Sequence, residues 1–276
     1  MSNTLTRTLS GSVFLVIMTG GLLAGPSVYA FIMLFAVLVM TSEYLKISKI
    51  NKKKYISSLT LFASALMFST VYFIHRYNLS LDILLLNAVS FCILLAAPLY
   101  IKKSDDRQEG STLVGAILYT TLPFTMTSLV VFGADGTYYP NLLLSMFFIL
   151  WSSDVGAYVA GVTFGQKSGH KLFPSVSPKK SWEGFAGGLI AAVVTGVIIH
   201  YTDFITIPLI HIIAISLIIN IGGVFGDLTE SLFKRRYNVK DSGTIMPGHG
   251  GLLDRFDGAL IAFPAAITYI LLFNLF

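Results

Sequence analysis

The sequence predicts an all-α polytopic membrane protein of about nine transmembrane helices, with its N-terminus in the cytoplasm and its C-terminus on the opposite side. Three observations predict this class. First, the 276 residues are 54% hydrophobic and only 12% charged, about half the ~25% charged fraction of a soluble domain. Second, the charges gather in short runs between apolar stretches of about 20 residues, the length that crosses a bilayer core, and mean hydropathy is +0.75. Third, when successive stretches alternate sides, 18 of the 19 Lys and Arg fall on one face and only Arg76 falls on the other, as the positive-inside bias requires of cytoplasmic segments.

Taken in order, Arg7 and Glu43 bracket an uncharged stretch broken once at Gly25-Pro26, which gives helices over 9–24 and 27–44. A proline at a helix start costs little, because its missing N–H would be unpaired there. Val28-Tyr29-Ala30 faintly resembles a leader cleavage site, but the apolar pattern resumes through Met40, so a helical hairpin is expected instead. A basic loop (Lys46, Lys49, Lys52, Lys53, Lys54) precedes helix three at 56–74. Helix four follows at 81–100, then a mixed-charge loop (Lys102, Lys103, Asp105, Asp106, Arg107), then helix five at 111–132. Helix six, 141–164, carries Asp154. A polar loop over 165–180 leads to helix seven at 182–201, helix eight at 204–230 and helix nine at 254–276. Residues 1–140 thus form a lipid-embedded bundle of five helices with little visible chemistry. Residues 141–276 form a second part, helices six to nine with cytoplasmic polar loops at 165–181 and 231–254.

The single Cys92 excludes an intrachain disulfide and a cysteine metal site. The net charge of +5 is sorted loop by loop, so it signals no nucleic-acid partner. Nucleotide motifs of the GxxxxGK[ST], GxGxxG and HExxH types do not occur. Helices six and seven are rich in small residues (Gly156, Ala157, Ala160, Gly161; Gly184, Ala186, Gly187, Gly188), which lets helix backbones approach closely.

Chemistry concentrates in 231–257, SLFKRRYNVKDSGTIMPGHGGLLDRFD, which lies between two apolar helices. Upstream of it, Asn220, Gly223, Asp227, Glu230, Ser231 and Lys234 repeat at helical spacing and share one face. A carboxylate in hydrocarbon costs at least ~2.5 kcal/mol at the bilayer centre, so Asp227 should face a polar cavity or a partner. Asp254 and Asp257 sit i, i+3 at the start of helix nine. They suit the helix dipole there, and they can also pair with Asp227 as an oxygen site for Mg²⁺, which takes few protein ligands plus substrate phosphates. Asp241 stands in the same stretch. Lys234, Arg235 and Lys240 read either as headgroup anchors or, from the acids beside them, as a phosphate pocket, which those acids favour; Arg236 reads as a headgroup anchor. His249 lies among glycines that allow close backbone approach. In the 165–180 loop, Ser177, Lys179 and Lys180 read either as an interfacial basic loop or as a second phosphate contact. Residue chemistry alone therefore reaches a metal and phosphate site in a membrane, without naming a substrate.

The residues also carry a resemblance. Ser231-Leu-Phe-Lys234-Arg235, Lys240-Asp241-Ser-Gly and Pro247-Gly-His249-Gly250-Gly251-Leu-Leu-Asp254-Arg255-Phe-Asp257 resemble, without departure, the signature of phosphatidate cytidylyltransferases, also called CDP-diacylglycerol synthases. Asp154-Val-Gly-Ala-Tyr158, Ser177-Pro-Lys179-Lys180-Ser-Trp-Glu183-Gly184 and Gly226-Asp227 resemble supporting blocks. The resemblance covers about 150–258 well; before that only the hydrophobic multi-helix character matches.

The resemblance implies a Mg²⁺-dependent nucleotidyltransferase of phospholipid biosynthesis, with or without a second cation such as K⁺. CTP and phosphatidate would be its substrates, and CDP-diacylglycerol and pyrophosphate its products. It further implies a homodimer in the cytoplasmic (inner) membrane, if the source is bacterial, with the site open to the cytoplasm. In that reading Asp227 and Asp254 hold the metal, supported by Asp257 and Asp241. Lys234, Arg235, Lys240 and Arg255 neutralise phosphates, and Ser177, Lys179, Lys180 and Ser231 are further phosphate contacts. Asp154 lies near the substrates, and His249 organises the loop or donates a hydrogen bond. The rivals are a CTP-dependent lipid or polyprenol kinase, which would release CDP rather than pyrophosphate, and an ion-coupled transporter, for which the acids of helices six and eight would be coupling sites.

Overall fold

The computed structural model describes residues 3–50, 54–100, 109–166, 170–248 and 250–276. His249 and the basic residues Lys52, Lys53, Lys102, Lys103, Arg107 and Lys167 lie outside the described residues, as do Asp105 and Asp106. Among the described residues the regular structure is helical apart from one two-stranded hairpin. It divides into two compact units, Met1–Tyr138 with Tyr237–Arg255, and Tyr139–Arg236 with Phe256–Phe276.

The first unit contains α1 (Asn3–Leu23), α2 (Pro26–Ile47), α3 (Lys54–Tyr77) and α4 (Leu85–Ala96, with 3₁₀ turns at Leu81–Leu84 and Ala97–Tyr100). It also contains a broken α5, built from Glu109–Ala116, a π-helical turn Ile117–Thr121, Leu122–Met126 and a 3₁₀ turn Thr127–Val130. The break has a local cause. Pro123 has no N–H for the preceding turn, so the ladder rearranges into a wider one. Gly25, with φ 126°, supplies the turn before Pro26 that opens α2. The core between these helices is aromatic and hydroxylic. Tyr29 packs against Phe68, Tyr72, Phe132 and Tyr138, while its hydroxyl bonds Thr127 Oγ1 at 2.7 Å. Thr41 bonds Thr120 at 2.8 Å, and Thr121 donates to Ser64 at 2.9 Å. Such interhelical hydroxyl bonds join helices where the hydrophobic effect does not separate protein from lipid tails.

The second unit contains α6 (Asn141–Ala160, continued by a π turn Gly161–Gly165), β1 (Lys171–Phe173), β2 (Ser177–Ser181), α7 (Trp182–Tyr201), α8 (Leu209–Arg236) and α10 (Ala259–Leu272). The short α9 (Leu253–Phe256) runs across the boundary between the units. The expected small-residue packing of helices six and seven is present. A Cβ on Gly156 would fall 2.7 Å from the carbonyl oxygen of Gly187, and one on Gly187 would fall 2.8 Å from that of Gly156. Buried Asn220 of α8 donates to Ser153 of α6 at 2.8 Å. Phe147 packs edge-on to Phe263 at 4.7 Å.

Several boundaries differ from the sequence expectation. Among the described residues six helices are long and apolar enough to cross a membrane: Pro26–Ile47, Lys54–Tyr77, Gly110–Val130, Asn141–Gly165, Trp182–Tyr201 and Leu209–Arg236. The other three expected spans appear as shorter apolar helices, Thr8–Leu23, Leu81–Ala96 and Ala259–Leu272. Helix eight begins after Pro208, not at residue 204, and it continues through Arg236, so 231–236 is helix and not loop. Its basic last turn, Lys234 to Arg236, complements the negative end of the helix dipole. The 165–180 loop contains an antiparallel hairpin, Lys171 paired with Ser181 and Phe173 with Ser177.

Candidate active site

The site residues fall into two groups, one in each unit. In the second unit the inward face of α8 is as its spacing predicts: Asn220, Gly223 and Glu230 are buried, and Asp227, Ser231 and Lys234 are partly buried. Asp227 Oδ1 accepts from Ser231 Oγ at 3.2 Å, one turn on. Its Oδ2 lies 2.6 Å from Lys180 Nζ. The hairpin delivers that lysine. Strand β2 ends at Ser181, whose side chain caps α7 by accepting from Gly184 N at 3.2 Å, and this fixes Lys180 immediately before the helix. One turn beyond Asp227, buried Glu230 pairs with Lys234 at 2.5 Å.

Asp257 lies in the break between α9 and α10, where its Oδ1 accepts from Gly258 N at 2.7 Å. Only a little of its surface is exposed. The surrounding protein, together with the carboxylates of Asp227, Glu230 and Asp154, pushes its carboxyl well above the ordinary carboxylate range. Asp257 is therefore within electrostatic reach of three other acids of this unit. Glycine makes the approach possible: a Cβ on Gly226 would sit 2.2 Å from the carbonyl oxygen of Asp257, so α8 touches the 257–258 backbone directly.

In the first unit the loop 241–253 wraps a second carboxylate. Asp254 Oδ2 accepts from Ser242 N (2.9 Å), Ser242 Oγ (2.8 Å) and Gly251 N (2.7 Å). Gly248 and Gly250 adopt φ of 77° and 87°, which L side chains rarely adopt. A Cβ on Gly250 would also stand 2.5 Å from Asp254 Oδ2. The group that comes closest to Gly250 is this carboxylate.

A residue absent from the sequence-level site also appears here. Glu43, from α2, is buried; it accepts from Ser242 Oγ, from Leu252 N at 3.1 Å and from Leu253 N at 2.8 Å. In the sequence it serves only to bracket an apolar stretch. Its one available signal is an acid near the end of an apolar helix, where the helix dipole disfavours negative charge.

Of the remaining predicted residues, Lys179, Arg235, Lys240, Asp241 and Arg255 are exposed at the surface, as is Asp154 on α6, and Ser177 is partly buried in β2. Lys234, read as a phosphate ligand, is committed at least in part to Glu230.

Among the described residues no three His, Cys, Asp or Glu side chains form a ready cation cage. The donor chemistry nevertheless fits Mg²⁺. The donors are carboxylate oxygens, and this ion is commonly held by one or two carboxylates with substrate phosphates and water completing its shell.

The cytidylyltransferase family matches residues 5–273 of this chain. The chain belongs to that family. Among curated relatives it is similar to the phosphatidate cytidylyltransferase of Bacillus subtilis (strain 168), 45% identical over 126 residues, 46% of each chain. It is 42% identical over 132 residues, 48% of each chain, to that of Staphylococcus haemolyticus (strain JCSC1435). To that of Staphylococcus saprophyticus it is 38% identical over 178 residues, 64% of this chain and 65% of the relative. The chain thus spans about half the length of the first two relatives in these matches.

Proposed function

We propose that this cytidylyltransferase-family chain transfers the cytidylyl group of CTP to phosphatidate, giving CDP-diacylglycerol and pyrophosphate. A phosphate oxygen of phosphatidate forms a bond to the α-phosphorus of CTP, and the bond from that phosphorus to the oxygen of the β-phosphate breaks, releasing pyrophosphate. Phosphatidate is ionised at neutral pH, so no general base is required. Positioning and charge neutralisation supply most of the barrier reduction in such transfers.

The observation that carries the reading is the arrangement at Asp227. It is a carboxylate on a membrane-length helix, bonded to Lys180 of a basic hairpin and to Ser231, with Glu230 three residues on and Asp257 within electrostatic reach. A basic anchor would not need these acids, and a transporter would not need the basic hairpin. Asp227 and Asp254 are the carboxylates assigned to Mg²⁺, with Asp257 and Asp241 in support. When bound, the ion neutralises charge on the phosphates. Lys180, Lys179, Arg235, Lys240 and Arg255 supply positive charge for the triphosphate and the lipid phosphate, and Ser177 and Ser231 supply hydroxyl donors. His249 is assigned to organising the glycine loop, and Asp154 to the substrate side of Asp257.

Nine apolar helices among the described residues, six long and three short, support nine crossings; both polar loops are assigned to the cytoplasmic face, where CTP is found. A homodimer in the bacterial cytoplasmic membrane completes the proposal. The names of the relatives and the motif support this substrate pair over the kinase alternative.

The test is purified protein with Mg²⁺, phosphatidate and CTP labelled in the cytidine. Label is expected in the lipid phase together with released pyrophosphate. Release of CDP with unlabelled lipid would identify a kinase, and no transfer by folded protein would refute the proposal.

A further inference from the structure

The N-terminal helices read from sequence as an anchor with little chemistry, yet one of them reaches the loop that holds Asp254. Glu43 lies near the C-terminal end of α2, where the helix dipole disfavours negative charge. It is only 3% exposed there. Burying a carboxylate is costly unless hydrogen bonds replace its water. Three donors do so, all from the 242–253 segment: Ser242 Oγ at 3.2 Å, Leu252 N and Leu253 N. The two amides open α9, the helix that carries Asp254.

The hydroxyl of Ser242 lies between the two acids, 3.2 Å from Glu43 Oε2 and 2.8 Å from Asp254 Oδ2. The surrounding backbone is cut to fit. A Cβ on Gly243 would sit 2.3 Å from Glu43 Oε1, and one on Gly251 would sit 2.6 Å from both Glu43 oxygens. Glycine at both positions leaves a carboxylate-sized space that Glu43 fills.

We infer that Glu43 is a positioning residue for Asp254. It fixes Ser242 and the first turn of α9, and through them it sets the direction in which the Asp254 carboxylate points. The inference rests on the reading of Asp254 as part of the cytidylyl-transfer site. Glutamine cannot replace it: a carboxamide offers one oxygen where Glu43 uses two, and its NH₂ would face an N–H donor.

The test compares wild-type and Glu43→Gln full-length protein in lipid nanodiscs by two measurements. In the first, hydrogen exchange should accelerate about tenfold or more at Ser242 and Gly251 to Leu253, with α8 unchanged, since local opening follows the loss of local bonds. In the second, kcat should fall about 10- to 100-fold and the Mg²⁺ needed for half-activation should rise, while KM for phosphatidate stays within about twofold, as expected when support of a carboxylate ligand is lost. Unchanged exchange in the loop would overturn the proposal. So would faster exchange with kcat and Mg²⁺ requirement both near wild type. Should Glu43→Gln fail to fold, Ser242→Ala carries the test. It removes the hydroxyl between the two acids and should shift kcat and the Mg²⁺ requirement in the same direction; wild-type values for both would sink the idea. If wild-type protein transfers no cytidylyl label, the functional reading falls separately, while the exchange measurement still decides whether Glu43 holds the loop.

Discussion

Gly226→Ala is the sharpest test of how the acids are brought together. The added Cβ would lie 2.2 Å from the carbonyl oxygen of Asp257, 2.9 Å from Gly258 Cα and 3.0 Å from the Asp257 carbonyl carbon. All three are backbone atoms, so no flexible side chain can swing aside. To pass from 2.2 Å to ordinary contact near 3.4 Å, α8 and the 257–258 segment must separate by roughly 1.2 Å, a displacement on the scale that costs about 100-fold in a reaction governed by positioning. The packing cost is about 1–3 kcal/mol, as for other overpacked sites. The expected result is a stable but slow enzyme, with kcat down about 100-fold and substrate KM changed far less.

Gly222→Ala is the control. Its Cβ would meet Ala262 Cα at 2.6 Å, also a backbone clash, one helical turn before Gly226. It should destabilise comparably and slow turnover less. Labelled-CTP turnover and thermal unfolding in detergent read both effects. If Gly226→Ala keeps more than half of wild-type kcat, direct contact between α8 and the 257–258 backbone does not set the catalytic geometry.

Other predictions concern single charges. Lys180→Met removes the partner 2.6 Å from Asp227 and should lower kcat about 100-fold, comparable to losing one preorganised donor; activity near wild type would remove Lys180 from the site. Lys234→Met removes the ion-pair partner of the fully buried Glu230 and should destabilise by about 3–5 kcal/mol, whereas Lys234→Met combined with Glu230→Gln should recover part of that loss. Thermal unfolding of the two variants reads the difference, and equal stability would show that the pair is not what holds that turn. Gly250→Ala forces a strained φ and a Cβ 2.5 Å from Asp254 Oδ2; loss of turnover with helices intact by circular dichroism is expected, and retained turnover would show that the Asp254 wrapping is dispensable.

Much of the helical frame and one side of the site could be read from residue order, for a physical reason. Helical periodicity is local, so Asn220, Asp227, Glu230 and Lys234 could be placed on one face without any coordinates. Turn glycines are local too, and Gly248 and Gly250 behave as expected. What escaped was non-local or competed with a stronger cue. Lys234 to Arg236 read as a loop because they are charged, although basic residues favour a helix C-terminus. Pro208 marks the start of α8, but the mostly apolar residues on both sides of it (204–207 and 209–210) blur that signal. The hairpin 171–181 is too short and too polar to alternate visibly, so the pairing of Lys180 with Asp227 had no sequence marker. Glu43 is 199 residues from Ser242 along the chain, and no spacing rule connects them.

The charge balance around each acid leads to a last prediction. Asp227 has Lys180 and Ser231; Glu230 has Lys234; Asp254 and Glu43 each accept three hydrogen bonds. Asp257 differs. Among the described residues its side chain accepts from Gly258 N, while Asp227, Glu230 and Asp154 all repel it. Among these five acids, negative charge is therefore least compensated at Asp257. If a cation supplies the difference, Mg²⁺ should stabilise the wild-type protein, by about 2.7 kcal/mol at a hundredfold excess over its dissociation constant. Asp257→Asn should behave in the opposite sense. With chelator present it should be more stable than wild type, because a repelled carboxyl has been replaced by a neutral group of the same shape, and added Mg²⁺ should raise its melting temperature less. The measurement is thermal unfolding of both proteins in detergent at neutral pH, with chelator and then with Mg²⁺. An Asn variant that is no more stable than wild type without metal would show that Asp257 is already neutralised, and the argument from charge would fail.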